Sequence, residues 1–461
     1  MNPNAEEGDR YGAEGEARLR AFVQACTGGR IVRMERQVRW RPAWFVDVER
    51  EGEVLQLHLR GDRAGNVNIF PDLKREADVI DVLSQHGIQV PRIHGYCVDP
   101  PCIVMDAIPG SRVVAEAESD AQRSDIARQY IAQVVAMHRV PVEPFVARGV
   151  HRPEGAMAIA LVGLDAYLPH YRRTKSRPEP LLEFVIGWLR RNVPTHRTKA
   201  SFIQFDCGQF LFENGRVTGL YDFEFSMIGD PMVDLATMRM RDNYEPLGER
   251  LPTLLAQYEA LSGEPVDRAV IEFHTLQFST LGTMQFTGTV GRPTPGDPHA
   301  VYLMFDLALR QVILQSMSAL TGFALQAPPV LESKGSPNAS PNAALIAKLS
   351  DTLAGITPAD ELARSQQDAA EQLIEWWARE DAHGAALRAA DVADIAALLD
   401  RPFDDWAAAQ VALEAHVLQA GPEEDARLYA VFAAQEGRRL QVFGPTRIGR
   451  PAEHVHLPPL S

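Results

Sequence analysis

The sequence predicts an α+β fold: a small antiparallel sheet with one inserted helix, a mainly helical region after it, and an extra helical domain at the carboxyl end. Three observations predict it. Residues 30–60 alternate polar and apolar side chains with period two, residues 73–83 change to the helical period, and alanine-rich segments follow a Pro/Ser/Asn/Gly stretch after residue 342.

The elements follow in order. A polar, acidic tail and a first helix occupy residues 1–29. The runs IVRMERQVRW, AWFVDVER and EVLQLHLR read as strands, with Glu51-Gly52 as the turn between the last two. In DLKREADVIDVLSQHG the apolar residues Leu73, Ala77, Ile80 and Leu83 lie on one helical face, and Gly87 ends the helix. RIHGYCV and CIVMDAI return to strand character and close the sheet part, residues 30–107. Helical patterns dominate residues 108–326, among them DIARQYIAQVVAMHRV and EPLLEFVIGWLRRNV, whose Pro180 stands where a helix start tolerates proline. Within this region QFDCGQFLFENGRVTGLYDFEFSMIGDP reads as a strand hairpin with Asn214-Gly215 at its turn. Residues 327–342 are the linker, and residues 343–461 the last helical domain.

A chain of 461 residues exceeds one core and predicts two or three domains. The formal charge of -15 argues against nucleic acid or an anionic membrane as partner. Residues 343–461 hold 19 acids and 10 bases, so -9 of that charge lies there. A homodimer contact, a lid or protein partner docking is the role expected of this domain. No apolar run approaches the roughly 20 residues that span a bilayer. The four cysteines have neither zinc spacing nor the density of a disulfide scaffold, so a reducing cytoplasm is expected. Only five of the 46 basic residues are lysine, so any site needing a cation is expected to use arginine.

Phosphoryl transfer needs a cation on the phosphates, an acid for magnesium and an acid for the attacking hydroxyl. Candidates for all three stand in order. Arg60 ends the third strand, and Glu76 in the next helix is placed to pair with it. The bland alternative for these two is an exposed ion pair. Asp206 follows a short apolar run and would face the acceptor hydroxyl. Asp222 ends the run RVTGLYDFE and would hold the metal, with Glu224 close behind.

Over residues 30–325 the chain resembles the aminoglycoside phosphotransferase and choline kinase-like family, small-molecule kinases with a bilobal protein-kinase-like fold. LHLRGDR is similar to the family's nucleotide-clamping strand, READVIDVLSQHGIQVPRIHGYC to its first helix and next strand, and IAQVVAMH to the helix beneath the linker between lobes. CIVMDAIPG resembles that linker, which implies nucleotide contacts at Met105, Asp106 and Ile108. FDCGQFLFENGRVTGLYDFEFSMIGDPMVDLA is similar to the family pattern HGD-x4-N…D-[WF]-E…GDP-x2-DLA. The resemblance implies ATP (or GTP) and Mg2+ as cofactors, Asp206 as catalytic acid/base, Asp222 as metal ligand and Asp234 as a structural acid under the catalytic loop. The acceptor would lie between Asp206 and the helices of residues 155–190 and 265–320.

The departures from the pattern are specific. Gln204 replaces the His and Phe205 the Gly. A direct count puts Leu211 at the metal-binding Asn, whereas keeping the hairpin in register puts Gln209 there, in a loop two residues shorter. No glycine-rich loop precedes the second strand; QVRWRPAWF stands there, and its Arg39 and Arg41 would either cover phosphates or block the site. Cys207 reads as a loop filler, the Trp376-Trp377 pair as core or interface, and His454 and His456 as part of a frayed terminus. Two functions fit these residues: an ATP- and magnesium-dependent kinase of a small hydroxylated compound, or a kinase-fold protein that binds nucleotide or a metabolite as a regulatory module without catalysis.

Overall fold

The computed structural model describes residues 10–37, 41–62, 69–70, 72–294, 297–325, 342–359, 361–444 and 457–461. Arg39, the linker residues 327–341, His454 and His456 lie outside the described residues. The fold is the α+β, protein-kinase-like one that the sequence predicts. Contacts divide the chain into two compact units: Met1–Val162, His196–Asp267 and Pro458–Ser461 form one, Gly163–Thr195 and Arg268–Leu457 the other.

The first unit begins with α1 (Ala13–Thr27), β1 (Arg30–Arg36), β2 (Ala43–Arg50), β3 (Glu53–Gly61), α2 (Leu73–Gln85), β4 (Ile93–Val98) and β5 (Pro101–Asp106). The sheet is antiparallel, in the order β1-β2-β3-β5-β4. Period-two alternation turns Trp44, Val46 and Val48 of β2 inward with Leu57 and Leu59 of β3, and Leu19 and Val23 of α1 cover them. On the opposite face Phe45 is 46% exposed. Helix α2 buries Leu73, Glu76, Ala77, Ile80 and Leu83, the spacing of one face. A charged residue therefore stands on the apolar face, and that position calls for a partner.

The chain continues through α3 (Asp120–His138), α4 (Glu143–Ala147), α5 (Gly155–Thr174) and α6 (Pro180–Arg191). Two short ribbons follow: β6 (Ser201–Ile203) pairs with β9 (Met227–Gly229), and between them β7 (Phe210–Glu213) pairs with β8 (Arg216–Leu220). Asn214 and Gly215 at the hairpin turn have φ of 50° and 75°, the left-handed pair that a tight two-residue hairpin requires. Helices α7 (Met232–Asp242) and α8 (Leu251–Ser262) complete the first unit.

The second unit holds the end of α5, all of α6, and α9 (Arg268–Gly291), α10 (His299–Thr321), α11 (Ala343–Ala354), α12 (Glu361–Leu399), α13 (Trp406–Val417) and α14 (Asp425–Phe443). Trp376 packs against a cluster of Leu303, Met304, Leu307 and Phe443. Arg310, 1% exposed, binds three acids. Its Nε donates to Asp306 (3.1 Å), Nη1 to Glu436 (3.0 Å) and Nη2 to Glu179 (2.6 Å). Thus α14 is joined by buried charge to α10 and to the start of α6. No helix of the described residues is long and apolar enough to cross a membrane.

Removing one partner of a buried network strands the remaining charges. We therefore expect Arg310→Met to destabilise the protein by about 3–5 kcal/mol, read from denaturant unfolding. A loss below about 1 kcal/mol would mean that the network contributes no more than a surface pair.

Candidate active site

Helix α7 is the platform under the first acid. Asp234, Thr237 and Arg241 stand at i, i+3 and i+7, so one face meets the loop between β6 and β7. Asp234 Oδ2 accepts from the Gln204 amide (2.9 Å) and Oδ1 from the Phe205 amide (2.8 Å). Thr237 Oγ1 accepts from the Cys207 amide (3.1 Å). Helix α3 holds the other side. His138 Nε2 lies 3.0 Å from Asp234, and Tyr130 Oη accepts from the Gly208 amide (2.6 Å). Burial pushes the Cys207 thiol well above its ordinary pKa, so it is an inert filler beside Tyr130.

Phe205 occupies a left-handed conformation, φ 72°, while only 1% exposed. The two amides gripped by Asp234 hold that bend. Gly208, φ 95°, is needed for space, because a Cβ there would meet Arg241 Cδ at 2.6 Å. Arg241 passes through this gap and donates from Nη2 to Asp206 Oδ1 (2.7 Å), from Nε to the Cys207 carbonyl (3.1 Å) and from Nη1 to Glu245 (2.9 Å). Burial raises the Asp206 pKa, Arg241 pulls it back by charge and hydrogen bond, and Asp222 and Glu245 add to the rise.

The two glutamines have separate tasks. Gln204 Nε2 donates to the Tyr221 carbonyl (2.7 Å), tying the loop to the end of the hairpin. Gln209 Nε2 donates to the Asp206 carbonyl and to Asp206 Oδ2, both at 3.1 Å. Those two acceptors fix the amide nitrogen on the Asp206 side and turn the amide oxygen away from it. Leu211 lies within strand β7.

The second acid, Asp222, lies two residues beyond β8 at φ 66°. Arg60 Nη2 donates to its Oδ1, and Arg60 Nε donates to Glu76 (3.0 Å). Glu76 uses its other oxygen to accept from the Phe223 amide (3.2 Å), so one carboxylate fixes both the cation and the backbone after Asp222. The Arg60–Glu76 pair is buried, with side-chain exposures of 9% and 3%, which removes the exposed-pair alternative. Burial opposes the Arg60 charge, but Asp222, Glu76 and Glu224 outweigh it and lift its pKa above the ordinary value. Arg41 Nη2 donates to Glu224 Oε2 (2.6 Å). Lys74 pairs with Asp78 on the surface, away from these groups.

At the end of β5, Met105 is buried against Leu73, Ala77 and Ile103. The Asp106 amide donates to Arg92 O (3.0 Å), the Ala107 amide to Gln56 O (2.9 Å), and the Asp106 carboxylate meets His94 Nε2 (2.6 Å). Among the described residues the Ile108 amide has no backbone partner.

The donor set suits magnesium. Asp222 is partly exposed (23%) and Gln209 bonds Asp206 through its nitrogen, which leaves its amide oxygen out of those bonds; both are hard oxygen donors of the kind magnesium takes alongside phosphates and water. Two arginines were missed or left open by the sequence. Arg241 had a signal, its two-turn spacing from Asp234; Arg41 pairs across 183 residues and had none.

The profile of the phosphotransferase enzyme family matches residues 39–273. The chain belongs to this family. Among solved structures it is similar to a candidate aminoglycoside phosphotransferase from Ralstonia eutropha JMP134, at 17% identity and TM-score 0.52 over 67% of this chain and 98% of that one. It is also similar to choline kinase from Streptococcus pneumoniae (13% identity, TM-score 0.46, 68% and 100% covered). A third is macrolide 2′-phosphotransferase from Brachybacterium faecium (18%, 0.43, 65% and 97%). A search of curated proteins finds no match.

Two outcomes follow from the loop geometry. Arg241→Met removes the group that holds the Asp206 pKa down, so carboxyl NMR should show Asp206 titrating higher than in the wild type. Phe205→Gly relieves the left-handed strain, about 1 kcal/mol, but forfeits a buried ring whose loss costs about 3–5 kcal/mol. The net expectation is destabilisation of about 2–4 kcal/mol in denaturant unfolding; unchanged or increased stability would show that the strain outweighs the packing of the ring.

Proposed function

We propose that this protein transfers a phosphoryl group from ATP or GTP to the hydroxyl of a small molecule. The observation that supports this best is the pairing of two acids with separate environments and separate cations. Asp206, held by Arg241 and Gln209, faces one side of the loop, and Asp222, held by Arg60, ends the hairpin. In-line transfer requires mostly positioning and charge compensation, which such a rigid arrangement provides.

In this reading Asp206 accepts a hydrogen bond from the acceptor hydroxyl and orients its oxygen. Its pKa, raised by burial against the pull of Arg241, shifts the acid limb of the rate profile upward from that of an ordinary aspartate. Arg60 is fixed by Glu76 and gives the phosphates a guanidinium. Asp222 and Gln209 are the groups that would hold magnesium, which supplies charge neutralisation at the transferring phosphoryl group when bound. Met105 borders the base pocket, and the backbone at Asp106 and Ile108 meets the base. The partner is a small hydroxylated substrate, with a protein or second-copy contact at residues 343–461 as an additional role of the C-terminal helices.

One observation favours the non-catalytic reading instead: the Arg41–Glu224 pair already fills a buried position beside Asp222. Turnover separates the two. With ATP, magnesium and a panel of alcohols, we expect Asp206→Ala and Asp222→Ala each to lose at least about a hundredfold in rate. Equal background rates for wild type and both variants would reject catalysis.

A further inference from the structure

Arg41 stands two residues before β2, where the sequence has no glycine-rich loop to meet a phosphate chain. It is 3% exposed, yet among the described residues only one of its nitrogens is bonded: Nη2 to Glu224, whose side chain is 10% exposed. Nε and Nη1 are buried with no hydrogen-bond partner among the described residues, and Glu76 stays 4.0 Å from Nη1. Buried donors left unmade cost about 1–3 kcal/mol each, so this guanidinium is held in a position that does not satisfy it. It lines a cavity of about 10 Å³ with Asp62, Glu76 and Glu224, which admits at most one water. A phosphate group therefore reaches those donors only if Arg41 leaves Glu224.

The charges give this movement a consequence. Asp222 and Glu224 lie two residues apart, and both would otherwise offer carboxylate oxygens to a divalent cation. In this structure Arg60 is bonded to Asp222 and stands 3.9 Å from Glu224, and Arg41 is bonded to Glu224. Two guanidinium groups thus stand where a cation would be attracted.

We propose that Arg41 is a gate. It neutralises Glu224 in the free protein, and a nucleotide's phosphates draw its unsatisfied donors away, so that a divalent cation is admitted only with nucleotide. Arg41 is a positioning residue in this scheme, acting through Glu224, and the gate rests on the phosphotransferase reading for the identity of nucleotide and metal.

The test measures Mn2+ binding by electron paramagnetic resonance, without substrate turnover, on the full chain. Free wild type should bind Mn2+ weakly, and added ADP should strengthen binding. Arg41→Gln should bind Mn2+ without nucleotide at least about tenfold more tightly, the size of one charged contact. Arg41→Lys, which keeps a cation on Glu224, should resemble wild type, and Glu224→Gln added to Arg41→Gln should abolish the gain. Free wild type binding Mn2+ as tightly as Arg41→Gln, or a gain that survives Glu224→Gln, would overturn the gate. Absence of any ADP effect in all proteins would sink the phosphotransferase reading and with it the nucleotide trigger of the gate, whereas the nucleotide-free gain in Arg41→Gln reports separately on whether Arg41 shields Glu224 from cations.

Discussion

Arg60 cannot stand buried without acids, and the acids it holds determine the shape of the site. A buried guanidinium must be paired and hydrogen-bonded, since an isolated charge in the interior costs several kcal/mol or more. Arg60 meets Glu76 through Nε and Asp222 through Nη2, so α2 and the segment after β8 are drawn to the same point on β3. Glu76 then accepts the Phe223 amide and fixes the backbone around an Asp222 that sits at positive φ. Without that carboxylate the left-handed turn at Asp222 would lack its brace.

The rest of the site repeats this solution. Arg241 serves Asp206 as Arg60 serves Asp222, and Arg41 serves Glu224. Arginine suits the work because its planar fork can bond two partners in fixed directions, whereas a lysine presents a point charge. Arg241 uses that property fully, spanning Asp206, Cys207 and Glu245 from one side chain. A site built this way sets a guanidinium against each of these three acids before any ligand arrives, and ligands must exchange contacts with them.

Much of this was legible in the sequence, because local rules govern it. Alternation marked β2 and β3, the 3.6 period marked α2, the position of Glu76 in that helix pointed to Arg60, and Asn214-Gly215 marked the hairpin. Strand ends proved harder. The run leading to Asp222 stops as a strand at Leu220, since the backbone must turn left-handed two residues later. The short apolar run before Asp206 likewise ends as a strand at Ile203, where Asp234 takes over the amides of Gln204 and Phe205. The contacts of Arg41 with Glu224 and of Arg310 with Glu179 and Glu436 were not legible, because they join segments more than a hundred residues apart and depend on packing.

The most direct measurement is calorimetric ADP binding with and without magnesium, in wild type and in Asp222→Asn. If Asp222 carries the metal, magnesium tightens ADP binding in the wild type, and that tightening disappears in the variant while magnesium-free binding persists. Wild-type binding indifferent to magnesium, or an equal magnesium effect in Asp222→Asn, would contradict the account.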